Sequence, residues 1–316
     1  MFKKIFLIAK TARPKQWIKN IAVYSPLVFS GFFFYDPKDE LPYFVTVSIA
    51  FGIFCLLASS VYIINDVIDA QADAQHPFKK KRPVASGKLP ISWALAGATS
   101  LIVAVFLLSQ PFSIFFKILL LAYLGLQIFY AKVLKHMPIL DVLSIATGFL
   151  IRVYAGAVIV NLHMSVWFLL TVVSASLFLA VGKRQSERTL LEDSKLGKTR
   201  ITLSKYSQRL LDVYTGMFAN ATWLAYALFA FQHNTSHVNP ASERFVQIYT
   251  VLPRALQSQK LLMLTLPFVI FGVMRYLALV YEENKGESPE MVLMRDKTLL
   301  TTVFSFGILV MAIIYL

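Results

Sequence analysis

Three carboxylates set the first constraint. In Asn65-Asp66-Val67-Ile68-Asp69-Ala70-Gln71-Ala72-Asp73 the acids recur at intervals of three and four residues. On an α-helix, with about 100° per residue, positions 66, 69 and 73 fall at about 0°, 300° and 340°, one narrow stripe. Such a stripe repels itself unless cations fill it. Magnesium takes oxygen ligands from one or two carboxylates and completes its shell with substrate phosphates. The pattern therefore predicts a magnesium-bridged phosphate or diphosphate site, with Asp66, Asp69 and Asp73 as metal ligands and catalytic residues and Asn65 beside them. A solvated acidic helix end is the plain alternative; it leaves unexplained why all three acids share a face where the neighbouring loops are basic.

Those basic residues supply the second constraint. His76-Pro77-Phe78-Lys79-Lys80-Lys81-Arg82-Pro83 brings four Lys and Arg side chains beside the three acids, and its two prolines restrict the loop. Arg82, held before a proline, is the stronger candidate for gripping phosphate oxygens; Lys79 and its neighbours serve equally well as topology signals. His76 has no Cys or His companion at metal-ligand spacing, which argues against zinc. In Arg13-Pro14-Lys15-Gln16-Trp17-Ile18-Lys19-Asn20, Trp17 reads as an interfacial anchor, Arg13 and Lys19 as phosphate ligands, and Gln16 and Asn20 are not accounted for by anchoring. A third group runs from Tyr130 and Lys132 through Lys135 to Asp141 and Arg152. Asp141 and Arg152 are eleven residues apart, about three helical turns, so one helix can aim both at one cavity. Arg152 lies well inside an apolar stretch and calls for an anionic partner, either a substrate or a carboxylate from another helix. Lys183 and Arg184, in Gly182-Lys183-Arg184-Gln185-Ser186-Glu187, either bind phosphate or mark the inner surface.

The elements that carry these residues must lie in lipid. Of the 316 residues 57% are hydrophobic and 15% charged, against about a quarter charged in soluble chains. Apolar runs place spans near 21–35, 43–65, 91–110, 112–131, 138–160, 164–182, 207–232, 260–281 and 298–316, so the expected architecture is all-α and polytopic, with nine transmembrane helices in one domain over 1–316. Basic residues test the count. With the N-terminus inside, 25 of the 31 Lys and Arg fall in cytoplasmic segments, and four (Lys38, Arg244, Arg254, Lys260) fall outside. This alternation places the acidic motif on the cytoplasmic side and the C-terminus outside, and it accounts for the net charge of +14 without nucleic acid. The start of the chain lacks the pattern of a removable signal peptide. A single cysteine, Cys55, excludes an intramolecular disulfide and a multi-cysteine zinc site. Association of the chain with further copies of itself is compatible with the sequence, which does not fix an oligomeric state.

With these residues in view, Asn65-Asp-x-x-Asp-x-x-x-Asp73, followed by the loop ending Arg82-Pro-x-Ala-x-Gly87, resembles the first aspartate-rich motif of the UbiA superfamily of intramembrane prenyltransferases. Arg13-Pro-x-Gln-Trp-x-Lys-Asn20, His76-Pro-x-Lys79, Asp141 with Gly148-Phe-x-x-Arg152, Gly182-Lys-Arg184 and Arg275-Tyr276 are similar to the branch of that superfamily that transfers phosphoribose to decaprenyl phosphate. The aromatic prenyltransferases of the family usually carry a second aspartate-rich motif after the fourth helix, where this chain has Lys132, Lys135 and only Asp141. The resemblance implies nine helices around a central cavity capped on the cytoplasmic side of the plasma (inner) membrane. It implies magnesium-dependent transfer of 5-phosphoribose from phosphoribosyl diphosphate to a polyprenyl phosphate, for cell-envelope polysaccharide precursors. Two alternatives stay open: an aromatic polyprenyltransferase of a quinone pathway, and a lipid-phosphate transporter using Lys117 and Arg152.

Overall fold

The structure, a computed structural model, describes residues 2–75, 79–193, 206–233, 260–283 and 289–315. His76 and much of the basic loop after the sixth predicted span lie outside these residues. Among the described residues every regular element is helical. Helix α1 covers Phe2–Thr11; a 3-10 segment, Pro14–Tyr24, leads into α2, Ser25–Ser30. The long α3, Tyr43–Ile68, is followed by the short α4, Ala70–Gln75, then α5, Ile91–Leu108, α6, Ile114–Lys132, and α7, Leu140–Val158. After these come α8, Val166–Asp193, α9, Gln208–Gln232, α10, Leu266–Tyr281, α11, Pro289–Arg295, and α12, Lys297–Tyr315.

Among the described residues seven stretches are long and apolar enough to cross a bilayer: α3, α5, α6, α7, Val166–Thr189 of α8, Leu261–Tyr281 and α12. The chain is a multi-pass membrane protein. Each of the seven coincides with a predicted span, except that α8 continues well beyond 182. The break at Gln110-Pro111 separates α5 from α6, and Ser113 Oγ caps the latter by accepting the Phe116 N–H at 3.3 Å. The two remaining predicted spans differ in kind. Residues 207–232 do form one helix, α9, with Arg209, Asp212 and Asn220 interrupting its apolar run. Residues 21–35 do not form one α-helix: the chain is 3-10 as far as Tyr24, α2 lasts six residues, and Gly31 turns it at φ 80°.

The chain packs as two compact units. The first, described over residues 2–26, 37–75 and 79–162, has α3 as its axis, against which α5, α6, α7 and the 3-10 segment pack. In α3 and α7 61% and 56% of the apolar stretch is buried, against 17% and 22% in α5 and α6, so the former are inner and the latter lipid-facing. Exposed Val103, Leu107, Ile114 and Phe115 on the outer helices are what a bilayer tolerates and water does not. The second unit, described over residues 27–36, 163–193, 206–233, 260–283 and 289–315, packs α8 along α9 and centres on Phe178, Ala219, Val273, Tyr276 and Leu279.

The 3-10 segment positions much of the first unit's chemistry. At three residues per turn every third side chain eclipses, so Trp17, Asn20 and Val23 form one edge. Trp17 Nε1 donates to Ser59 Oγ at 3.0 Å, Asn20 Nδ2 to Cys55 Sγ at 3.3 Å, and Val23 is buried against α7. At that crossing a Cβ on Gly156 would meet the Val23 carbonyl oxygen at 1.8 Å. Only glycine lets the two backbones approach this closely.

Candidate functional site

Asp66, Asp69 and Asp73 come together where α3 ends. The predicted single helix is interrupted at Asp69, the C-cap of α3 at φ −89° and ψ 2°, and resumes as α4. The helical bonding survives the interruption, because Asp69 N–H donates to the Asn65 carbonyl at 2.9 Å and Asp73 N–H to the Asp69 carbonyl at 2.8 Å. The shared face therefore survives as well. Arg82 demonstrates it: its Nη1 reaches Asp73 at 2.5 Å and Asp66 at 3.2 Å.

Each carboxylate is met by a cation delivered from a different segment. Arg13, between α1 and the 3-10 segment, pairs with Asp66 and lies 5.3 Å from the centroid of the Tyr62 ring. Arg82 is fixed by its loop: its N–H donates to the Lys79 carbonyl at 2.9 Å, and Val84 and Leu89 plug into a cluster with Ile63 and Ala94. Gly87, at φ 71°, closes that turn. Lys135, in the 3-10 turn Leu134–His136 between α6 and α7, reaches Asp69 at 2.5 Å. Three acids and three bases make a charge-matched cluster, with Asp66 and Asp73 2% and 4% exposed.

The backbone around the cluster is held in costly conformations. Arg13 adopts the left-handed region at φ 53°, and Ile139, two residues before the buried Asp141, sits at φ 70°. Such positions cost about 1–3 kcal/mol each for non-glycine residues and concentrate at functional sites.

The donor set suits a hard divalent cation. All candidate ligands are oxygens, and the buried Oδ1 of Asn65, next to Asp66, has no hydrogen-bond partner, an unusual loss for a buried amide. Among the described residues no three carboxylate, imidazole or thiol groups converge closely enough to hold an ion unaided. A magnesium ion here would have to complete its shell with substrate phosphates or water.

The remaining predicted residues divide. Lys19 and Tyr130 are half-buried and Lys79 and Lys132 exposed, all in the first unit. Asp141 is buried in the first turn of α7, and its Oδ1 accepts the N–H of Val142 at 2.9 Å. Arg152 is buried as expected, but the anionic partner expected for it is not among the described residues. Its Nε donates to Asn20 Oδ1 at 2.8 Å, Nη1 to the Gly148 carbonyl at 2.9 Å and Nη2 to the Tyr123 hydroxyl at 2.6 Å. Lys183 and Arg184 belong to the second unit, where both approach Glu187, Arg184 at 2.6 Å and Lys183 at 4.0 Å. Beside them Gln185 Nε2 donates to Asp212 at 3.0 Å. Asn20 and Tyr123 contact Arg152 without having been singled out for binding, and Lys135, noted only within the group from Tyr130 to Arg152, meets Asp69. Tyr123 stands seven residues before Tyr130, hence on nearly the same helical face, a spacing that would have exposed it.

Comparison with known proteins bears on this geometry. Residues 24–294 match the model of the UbiA prenyltransferase family. The decaprenyl-phosphate phosphoribosyltransferase of Corynebacterium glutamicum is 33% identical over 312 residues, covering 97% of this chain and 86% of that protein. The protein of the same name from Mycolicibacterium smegmatis is 38% identical over 232 residues, 73% of this chain and 72% of that one. Among solved structures, a UbiA homolog from Archaeoglobus fulgidus bound to GPP and Mg2+ superposes with a TM-score of 0.66 at 15% identity, over 98% of this chain and 99% of that one.

Proposed function

The chain belongs to the UbiA prenyltransferase family, and from that premise we propose that it transfers 5-phosphoribose from phosphoribosyl diphosphate to a decaprenyl-type polyprenyl phosphate, releasing diphosphate. The observation that carries this reading is the end-to-end similarity to a decaprenyl-phosphate phosphoribosyltransferase, 33% identity over 97% of the chain. The charge-matched cluster at Asp66, Asp69 and Asp73 is the part of the molecule suited to the task.

A phosphate oxygen of the acceptor attacks C1 of the ribose while the bond from C1 to the diphosphate oxygen breaks, so the electron pair leaves with diphosphate and the configuration inverts. The acceptor is already an anion, and no strong general base is needed. The residues' work is to hold two anions together and to stabilise the charge that develops on the leaving group. Asp66, Asp69 and Asp73, with Asn65 Oδ1 as a further oxygen, would hold magnesium together with substrate phosphates, and the metal would supply charge neutralisation for the leaving diphosphate. Arg13, Arg82 and Lys135 each hold a carboxylate that phosphate oxygens can replace, so the donor can enter by exchanging ion pairs rather than by stripping bare charges. Lys19, Lys79, Tyr130, Lys132, Asp141, Lys183 and Arg184 complete the set of binding candidates. In this reading the protein lies in the plasma membrane, with the N-terminus and active site cytoplasmic and the C-terminus outside, and its product feeds cell-envelope polysaccharide synthesis.

The test is transfer of radiolabel from ribose-labelled phosphoribosyl diphosphate into extractable lipid, using purified protein, decaprenyl phosphate and magnesium. Label should enter the lipid and vanish with chelator or with Asp69→Asn. Absence of label from protein that instead consumes a prenyl diphosphate would replace this reading with aromatic prenyl transfer.

A further inference from the structure

Arg152 is a buried cation, 5% exposed, whose charge no carboxylate among the described residues answers. Its three hydrogen bonds go to an amide oxygen, a carbonyl and a hydroxyl. A guanidinium has five N–H donors, so one donor on each terminal nitrogen is left over. The rings of Tyr123 and Phe149 lie 4.8 Å and 5.3 Å from its central carbon and hold the plane in place. These neutral partners fix the orientation of the guanidinium without cancelling its charge, and an uncancelled charge inside a span is costly unless an anion arrives.

A glycine packs closely against it, with no room for a side chain to spare. A Cβ on Gly148 would lie 3.2 Å from Gln127 Nε2 and 3.6 Å from Arg152 Nη1. Two donor groups therefore converge on the bare face of a glycine, and the donors outnumber the charged acceptors, of which there are none.

The depth of this group can be measured along three segments. Arg152 stands eleven residues beyond Asp141 on α7, with its side chain folded back one turn onto Gly148. Cys55, bonded to the same Asn20, stands eleven residues before Asp66 on α3, and Asn20 stands seven beyond Arg13. At a rise of about 1.5 Å per residue in α-helix and about 2.0 Å in 3-10 helix, the guanidinium lies roughly 10–16 Å deeper than the carboxylates. It is a separate position from the diphosphate cluster.

We propose that Arg152, oriented by Asn20 and Tyr123, forms a second anion subsite that takes a phosphate monoester and so fixes one substrate phosphate away from the leaving diphosphate. The proposal rests on the phosphoribosyl-transfer reading for the identity of its ligand, since that reaction brings two phosphate monoesters: the 5-phosphate of the donor and the phosphate of the lipid acceptor. Arg152 touches substrate in this scheme and decides which substrates are accepted; Asn20 and Tyr123 are positioning residues.

The experiment uses the full chain in detergent and begins without magnesium, in chelator, so that the carboxylate cluster is not loaded. Thermal unfolding is followed against inorganic phosphate for the wild type, Asp69→Asn, Arg152→Gln and Arg152→Lys. Phosphate should raise the melting temperature of the wild type and of Asp69→Asn by a few degrees, not that of Arg152→Gln, and partly that of Arg152→Lys. With magnesium restored, Arg152→Gln should raise one KM roughly tenfold or more, the scale of a lost charge-assisted hydrogen bond. A rise confined to phosphoribosyl diphosphate assigns the subsite to the 5-phosphate, and a rise confined to the lipid assigns it to the acceptor. Equal phosphate shifts in wild type and Arg152→Gln, or both KM values unchanged, would overturn the proposal. If the wild type transfers no phosphoribose while the phosphate shift still requires Arg152, the anion subsite stands and only the reading of the reaction fails.

Discussion

Removing Arg82 should destabilise the protein through Asp73 more than through Asp66. Arg82 Nη1 is 2.5 Å from Asp73 and 3.2 Å from Asp66, and the two carboxylate side chains are 6% and 3% exposed. Asp66 keeps Arg13 as a second partner, whereas among the described residues Asp73 has no other cation within ion-pair distance. Breaking a fully buried pair from one side costs about 3–5 kcal/mol, and an exposed pair is worth about 0–1 kcal/mol. The Arg82 side chain is 28% exposed, which places Arg82→Gln between these limits, at about 2 kcal/mol. Asp73→Asn should cost less, about 1 kcal/mol, because Arg82 can still turn to Asp66. In the double variant neither buried charge is stranded at position 73, so the losses should fall short of their sum by about 1–2 kcal/mol. Equilibrium unfolding in mixed detergent micelles, run as a double-mutant cycle, measures this coupling. Additivity within about 0.5 kcal/mol would show that Arg82 does not compensate Asp73, and the charge-matched cluster would have to be abandoned.

Gly156→Ala should force the 3-10 segment off α7, since its Cβ would stand 1.8 Å from the Val23 carbonyl oxygen; the expected loss is about 1–3 kcal/mol in the same unfolding assay, with weaker phosphate binding through displaced Asn20. His233, just beyond α9, has its imidazole held below the usual value by burial first and by the Lys260 charge second. Its folded-state pKa is depressed, so stability is complete above the unfolded value of about 6.5 and falls as pH drops through it, levelling off below the folded value; melting temperature against pH should lose this slope in His233→Gln.

Much of this was legible in the residues because lipid simplifies the code. Where a segment must satisfy its own backbone in hydrocarbon, apolar length alone marks a helix, and α3, α5, α6, α7 and α12 fall close to where their sequences put them. The Asp66, Asp69 and Asp73 stripe was visible for a similar reason: helical geometry makes a three-four spacing a single face, even across the break at Asp69. What could not be seen was pairing between distant segments. Nothing in Lys135 says that it meets Asp69 rather than solvent, because that depends on how α6 turns into α7. Arg152 was recognised as needing a partner but not as having three neutral ones, since Asn20 and Tyr123 lie far away in sequence. The 3-10 character of Pro14–Tyr24 was hidden too, because local composition distinguishes it poorly from an α-helix.

That last segment has a consequence for how the protein is made. A 3-10 helix of eleven residues has poor internal hydrogen-bond geometry and is uncommon at this length, so it must draw its stability from outside itself. Its supports are Ser59 and Cys55 on α3 and Gly156 on α7, all of which leave the ribosome after it. A segment made before α3 and α7 therefore has to wait for them before it can settle. Its amides should exchange with solvent freely in a nascent fragment ending before α7 and become protected only once α7 has been inserted, making this segment one of the last pieces of the first unit to reach its final form.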